Sequence, residues 1–134
     1  MIDIENEVYA AVSKAVRVKY PKVYMTGLPF KAPPSFPCIS FSEVDNQVYR
    51  ATRTSGNIEN HVQVVYRANV YSNSTTKRKS ECKDIISIID ETMMNLGFTR
   101  TMCSPVDNEE DSTVYRMIAQ YRAVVSKDKV IYRR

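Results

Sequence analysis

The chain has 134 residues, 43% of them hydrophobic and 25% charged, with a formal net charge of +4. That length supports a single core, and so one domain over residues 1–134, and the composition excludes wholesale disorder. No stretch approaches the ~20 consecutive apolar residues of a membrane span, and the acidic start Met-Ile-Asp-Ile-Glu-Asn-Glu lacks the basic-then-apolar order of a secretory signal; a soluble protein made in the cytoplasm is the expectation.

Residues 3–19 read as an amphipathic helix. Ile4, Val8, Ala11, Val12, Ala15 and Val18 recur at intervals of three and four and form one apolar stripe. Asp3, Glu5 and Glu7 sit in the first turn and Arg17 and Lys19 in the last, as the helix dipole favours, and Pro21 stops the helix. A short strand over 22–25 follows, and Gly27 turns the chain. Residues 28–37, Leu-Pro-Phe-Lys-Ala-Pro-Pro-Ser-Phe-Pro, carry four of the six prolines. Proline has no amide donor and a fixed φ, so this segment is an extended arm or loop. Its Phe30 and Phe36 either mark an interface on a stiff loop or fold back on the core.

Residues 38–44 alternate apolar and polar, the pattern of a half-buried strand, and 48–54 read as a second strand before a turn at Ser55-Gly56-Asn57. The clearest strand spans 61–71, with Val62, Val64, Tyr66, Ala68 and Val70 on one face. Together 38–71 form an antiparallel meander. Asn73-Ser-Thr-Thr offers capping side chains for a second helix, on which Cys82, Ile85, Ile86, Ile89, Met93 and Leu96 share a face and which Gly97 ends. Lys79, Lys83, Asp84, Asp90 and Glu91 lie opposite, so this helix rests on a sheet.

A short strand over 98–102 leads to Ser104-Pro105 and an acidic hairpin loop. Residues 113–125 then alternate, with Tyr115, Met117, Ala119, Tyr121, Ala123 and Val125 inward and Arg116, Gln120 and Arg122 outward. The tail 127–134 either adds a last β segment through Val130-Ile131-Tyr132 or hangs free. Helices and strands are grouped rather than alternating as βαβ. The expected fold is therefore α+β: an antiparallel sheet with two main helices on one face, in the order α-β-β-β-α-β-β.

Charge is unevenly placed. No acid occurs from Val8 to Ser42, where Lys14, Arg17, Lys19, Lys22 and Lys31 fall, and four acids crowd at Asp107, Glu109, Glu110 and Asp111. A basic face of this kind suits phosphate neutralisation, or the acidic loop of a neighbouring copy in a head-to-tail ring, or plain solvation.

Residues that carry chemistry are sparse. Cys38, Cys82 and Cys103 are odd in number and widely spaced, which fits neither a disulfide framework nor a zinc site. The single histidine, His61, lies at a strand end without a serine elbow or nucleophile motif to pair with it. Three glycines cannot make a phosphate-cradling loop, and the acidic run lacks the ligand spacing of a calcium loop. The expectation is a protein that is not an enzyme and takes no cofactor or metal. Nine tyrosines and 19 basic residues would serve a nucleic-acid module, but Tyr66, Tyr115 and Tyr121 fall on apolar strand faces, where core packing accounts for them.

The segments Asp90-Glu-Thr-Met-Met-Asn-Leu-Gly-Phe-Thr-Arg and Val114-Tyr-Arg-Met-Ile-Ala-Gln-Tyr-Arg-Ala-Val-Val, with the leading helix, the proline-bearing loop and the meander, resemble the tail terminator and tail-to-head joining proteins of long-tailed bacteriophages. The resemblance covers most of the chain through short motifs. It implies a structural protein of the virion, assembled in the host cytoplasm: a homo-oligomeric ring, usually a hexamer, that caps the tail-tube protein, stops tail polymerisation and presents a surface to the head connector or completion protein. DNA would pass through the lumen without sequence-specific binding, and no membrane is involved. On that view Phe30 and Phe36, Arg50 and Arg53, and the acidic Asp107, Glu109, Glu110 and Asp111 are candidate contacts between subunits or partners. Arg133 and Arg134 are candidates for the connector side or lumen. A head-completion protein of the neck is the nearest alternative, and a small nucleic-acid-binding module a more distant one.

Overall fold

A computed structural model describes residues 1–28, 35–48, 61–106 and 113–132. Among them the chain runs α1 (Glu5–Lys19), β1 (Tyr24–Thr26), β2 (Cys38–Val48), β3 (His61–Ser72), α2 (Arg78–Leu96), β4 (Thr99–Val106), β5 (Tyr115–Ser126) and β6 (Ile131–Tyr132). The strands form one mixed sheet in the order β1-β2-β3-β5-β4, with β6 also pairing β5. Only β1–β2 is parallel among these pairs; the others are antiparallel. Both helices pack on the same side of the sheet, giving the α+β architecture expected from the sequence.

Strand β3 lies at the centre, flanked along its length by β2 and β5. Its even-numbered side chains, Val62, Val64, Tyr66, Ala68 and Val70, are all fully buried. Their cross-strand partners Phe41, Ile39, Ala119, Tyr121 and Ala123 share that face and are buried as well, because paired residues point the same way from a pleated sheet. Tyr66 stacks on Phe41 at 5.6 Å and meets Phe98 edge-on at 5.4 Å, so three aromatic rings join β2, β3 and the end of α2.

Helix α1 buries Val8, Val12 and Val16, a line at spacing four, with Ser13 beside it. Each valine contributes on the order of 1.5–3 kcal/mol over an exposed one. The apolar stripe expected to end at Val18 ends at Val16 instead. Val18 lies about 200° around the helix from Val16 and is 84% exposed, because the sheet and α2 take the Val8–Val12–Val16 side. The helix also starts at Glu5 rather than Asp3, whose carboxylate accepts the Glu5 amide at 3.0 Å. Its last turn is tied to α2 by the Lys19–Asp84 ion pair, 2.7 Å, and by the Tyr20 hydroxyl, which donates to the same carboxylate at 2.7 Å. Lys19 first, then Tyr20, hold the Asp84 carboxyl below its ordinary value.

Three further boundaries differ from the sequence expectation. Val48 ends β2 rather than opening a new strand, because a bulge between Glu43 and Asp45 lets one strand absorb the extra residue Val44 and keep pairing with β3; residues 49–54 lie outside the described ones. The Asn73–Thr76 cluster does not cap α2 directly. Lys77 holds the N-cap position without a side-chain hydrogen bond, while Ser74 Oγ accepts the Lys77 amide at 3.1 Å and Ser72 Oγ donates to Glu81 at 2.7 Å, a turn earlier than a cap would act. Strand β4 continues through Pro105 to Val106, which an edge position tolerates because no further described strand needs its missing amide.

The end of α2 is as the sequence implies. Gly97 takes φ +106°, its amide reaches Met94 O at 3.0 Å and the Phe98 amide reaches Met93 O at 2.9 Å. This is the paired hydrogen-bond closure that a left-handed residue permits, and buried Met93 and Phe98 supply its apolar contact. A Cβ on Gly97 would also stand 3.0 Å from Ile131 Cγ2, so β6 closes down on the turn. Gly97→Ala should lower stability by about 1–2 kcal/mol, from the left-handed backbone alone, measured as a reduced urea midpoint with an unchanged slope.

Candidate functional site

The odd-numbered side chains of β3 face away from the helices. With their partners they form a second sheet face on which no described helix packs. Across β2, β3 and β5 the register sets Ser42 beside Arg67 beside Gln120, and Asp45 beside Val65 beside Arg122. Ser40, Asn69 and Ile118 make the next row on one side, and Gln47, Gln63 and Val124 the next on the other. On β4, Met102 is opposite Gln120 and Thr99 opposite Arg122. The face thus mixes guanidinium, amide and aliphatic groups on three long, paired strands.

Its arginines are held in place. Arg116 donates from Nε and Nη2 to Asn69 Oδ1 at 3.3 and 2.8 Å, and its guanidinium lies 5.4 Å from the Tyr71 ring centre. With the Gln120 amide oriented to accept, Arg67 donates to its oxygen from Nε and Nη2 at 3.2 and 3.1 Å. Arg122 Nε is shielded from solvent and has no acceptor among the described residues. Amide oxygens satisfy guanidinium donors without neutralising their charge. Asp45 is the described carboxylate on this face, and it lies beyond Val65 from Arg122 and accepts from Gln47 Nε2 at 3.0 Å. The described residues pair no carboxylate with Arg67, Arg116 or Arg122.

One end of the face is covered. Cys38, Tyr71 and Val114 are buried together with Phe36 packed against them. Phe36, expected as an interface residue or as a ring folded back, is half-buried in this satellite cluster, next to a cis Phe36–Pro37 bond. The other candidates, Phe30, Arg50, Arg53, Asp107, Glu109, Glu110, Asp111, Arg133 and Arg134, lie outside the described residues. Of the residues that build the face, Arg116, Gln120 and Arg122 were legible as outward positions of the closing strand, but Arg67 and Asn69 were not singled out. The signal that finds them is the odd register of 61–71, read as a second face rather than as the remainder of the core pattern.

Two other groups carry titratable chemistry. At the start of α1, Glu5 accepts the Glu43 amide at 2.8 Å, and Asn46 Nδ2 donates to Ile2 O at 2.9 Å and to Glu43 Oε2 at 3.4 Å. Glu43 sits against the buried Tyr66 hydroxyl, and burial raises its carboxyl above the ordinary range, opposed by the Asn46 hydrogen bond. Among the described residues no group of three His, Cys, Asp or Glu side chains is arranged to hold a metal ion. The thiols divide by exposure: Cys103 is exposed on β4, while burial pushes Cys38 and Cys82 up to about 12. No described helix is long and apolar enough to cross a membrane.

In comparisons with known proteins, no family model matches the chain and no curated protein matches it significantly.

Two outcomes follow from these environments. In native protein a thiol reagent such as Ellman's should titrate Cys103 rapidly, and Cys38 and Cys82 only after denaturant is added. Because the folded protein holds the Glu43 carboxyl above its unfolded value, the protonated form contributes stability that is present below about pH 4.5 and lost as pH rises through the folded value. Glu43→Gln should therefore raise the melting temperature at pH 7, and the gain should vanish as pH falls below the carboxylate range.

Proposed function

We propose that the chain is a structural subunit of the neck of a long-tailed bacteriophage, forming a ring that caps the tail tube and offers a surface to the head connector. The observation that carries this reading is the sheet face on which no described helix packs, where three long strands present ordered arginines beside the half-buried Val65 and Ile118. Among the described residues no helix covers this sheet face, and mixed polar and aliphatic surfaces of this kind suit subunit contacts. The resemblance in the Asp90–Arg100 and Val114–Val125 segments adds support, since both lie on elements the fold uses as expected: the α2 end with Gly97-Phe98, and β5.

Capping needs no bond chemistry. A ring of subunits binds the last tube ring and exposes no surface that accepts another tube subunit, so growth stops. Six copies, with the tail-tube protein below and the connector or completion protein above, complete the reading, and its address is the virion neck after assembly in the host cytoplasm.

The test is electron microscopy of lysates from a phage lacking this gene. Overlong headless tails beside filled heads are the expected result. Tails of normal length with separate heads would move the protein to the head-completion side of the neck, and intact infectious particles would remove it from the neck.

A further inference from the structure

We infer that the end of the helix layer where α1 finishes and α2 begins is a docking surface for the phosphate backbone of duplex nucleic acid, engaged without regard to base sequence. The inference goes beyond the neck reading and does not rest on it. Lys19 and Tyr20 tie the end of α1 to Asp84 in the second turn of α2. At the other end, Lys129 pairs with Glu7 in the first turn of α1, and Ile131, two residues on, lies against Gly97 at the close of α2. The two helices are in contact and run antiparallel, so the last turns of one lie beside the first turns of the other. Residues 14–22 and 77–84 are thereby brought to one end of the layer. Together they hold eight cations and two carboxylates, a surplus of six where the whole chain has a surplus of four.

The two carboxylates of this end are engaged already. Asp84 accepts from Lys19 and Tyr20, and Glu81 accepts the Ser72 hydroxyl at 2.7 Å. Lys14, Arg17, Lys22, Lys77, Lys79 and Lys83 are all exposed, and no carboxylate of the described residues pairs with any of them. Nor do the cations at the start of α2 serve the helix that carries them, since its dipole favours acids there. The composition of the surface selects the partner. Five of the six exposed cations are lysines, and Val18 is the exposed large apolar side chain of the two stretches. Protein interfaces are depleted in lysine and enriched in aromatic residues and methionine. Lysine ammoniums on long flexible stems act as point charges toward phosphates, and contacts of that kind position a duplex without reading its bases.

The experiment measures fluorescence anisotropy of a labelled duplex DNA of arbitrary sequence, titrated with the full-length protein over a series of salt concentrations. One variant carries Lys14→Gln, Arg17→Gln and Lys22→Gln, a second Lys77→Gln, Lys79→Gln and Lys83→Gln, and a control carries Lys127→Gln and Lys129→Gln at the opposite end. Circular dichroism checks that each is folded, and the single substitutions Lys14→Gln and Lys83→Gln stand in for any triple that is not. Wild type should bind at low salt, equally well with a second duplex of unrelated sequence. Each triple variant should bind at least roughly tenfold more weakly and flatten the slope of log affinity against log salt by about 2–3, and each single substitution by about 1, since one phosphate contact contributes a slope near 0.9. The control should stay within about twofold of wild type. The assay uses the whole chain, so every acid of the protein is present; if they screen this end, wild type will not bind and the inference falls. Triple variants that bind as wild type does, or a control that weakens as much as they do, would overturn it as well. Displacement of the DNA by polyglutamate at matched charge concentration would overturn the phosphate partner in favour of an acidic protein surface.

Discussion

Everything in this fold depends on the alternation of β3. From Val62 to Val70 its even-numbered side chains are apolar and lie at full burial, and its odd-numbered ones include Gln63, Arg67 and Asn69. A slip of one residue in its pairing with β2 or β5 would send Arg67 and Asn69 into the aromatic core around Tyr66 and turn the valines outward. The cost of burying an unpaired guanidinium far exceeds that of any single surface interaction here, so the strand has one tolerable register. That register sets the placement of the helices on one side and of the arginines on the other.

The two faces are consequently held to different standards. On the helix side, packing is dense and the polar atoms are few: Tyr66 and Tyr121 are fully buried, and burial raises both hydroxyls, so they stay neutral. The ion pairs at the rim of this side, Lys19–Asp84, Arg100–Asp90 and Lys129–Glu7, are solvent-exposed and worth little individually. On the other side the strands present groups that are ordered by amides and a tyrosine ring yet remain charged. Ion pairs and amide contacts at a partly exposed surface like this contribute little to the stability of one copy.

Much of the fold was legible because periodicity survives without knowledge of the partners. β3, α2 with its Gly97 stop and β5 are read from spacing, whereas the tail 127–134 was open between a last strand and a free end, and Ile131–Tyr132 pairs with β5. What was not legible depended on tertiary context. The stripe read through Ala15 and Val18 runs off the buried side of α1, because valines and alanines lie on two adjacent lines and packing on the sheet and α2 selects Val16 instead. The parallel β1–β2 pair cannot be read from composition, since a three-residue strand has no pattern. Of the candidate site, the outward arginines of β5 were visible singly, but the patch with Arg67 exists only after strand pairing sets residues 53 to 55 positions apart side by side, such as Arg67 with Gln120 and Arg122.

The bulge at Val44 has a consequence for how β2 can change in length. Up to Glu43, even-numbered residues of β2 face the arginine side; from Asp45 onward, odd-numbered residues do. Val44 is the extra residue between two correctly phased halves. Losing it would leave every other β2 side chain on its present face and would straighten the strand, whereas losing a residue elsewhere in β2 would invert one half relative to its neighbours. The strand therefore holds one position at which a single-residue deletion is geometrically neutral to the core, and the curvature of the sheet edge can vary there while the register that builds both faces is kept.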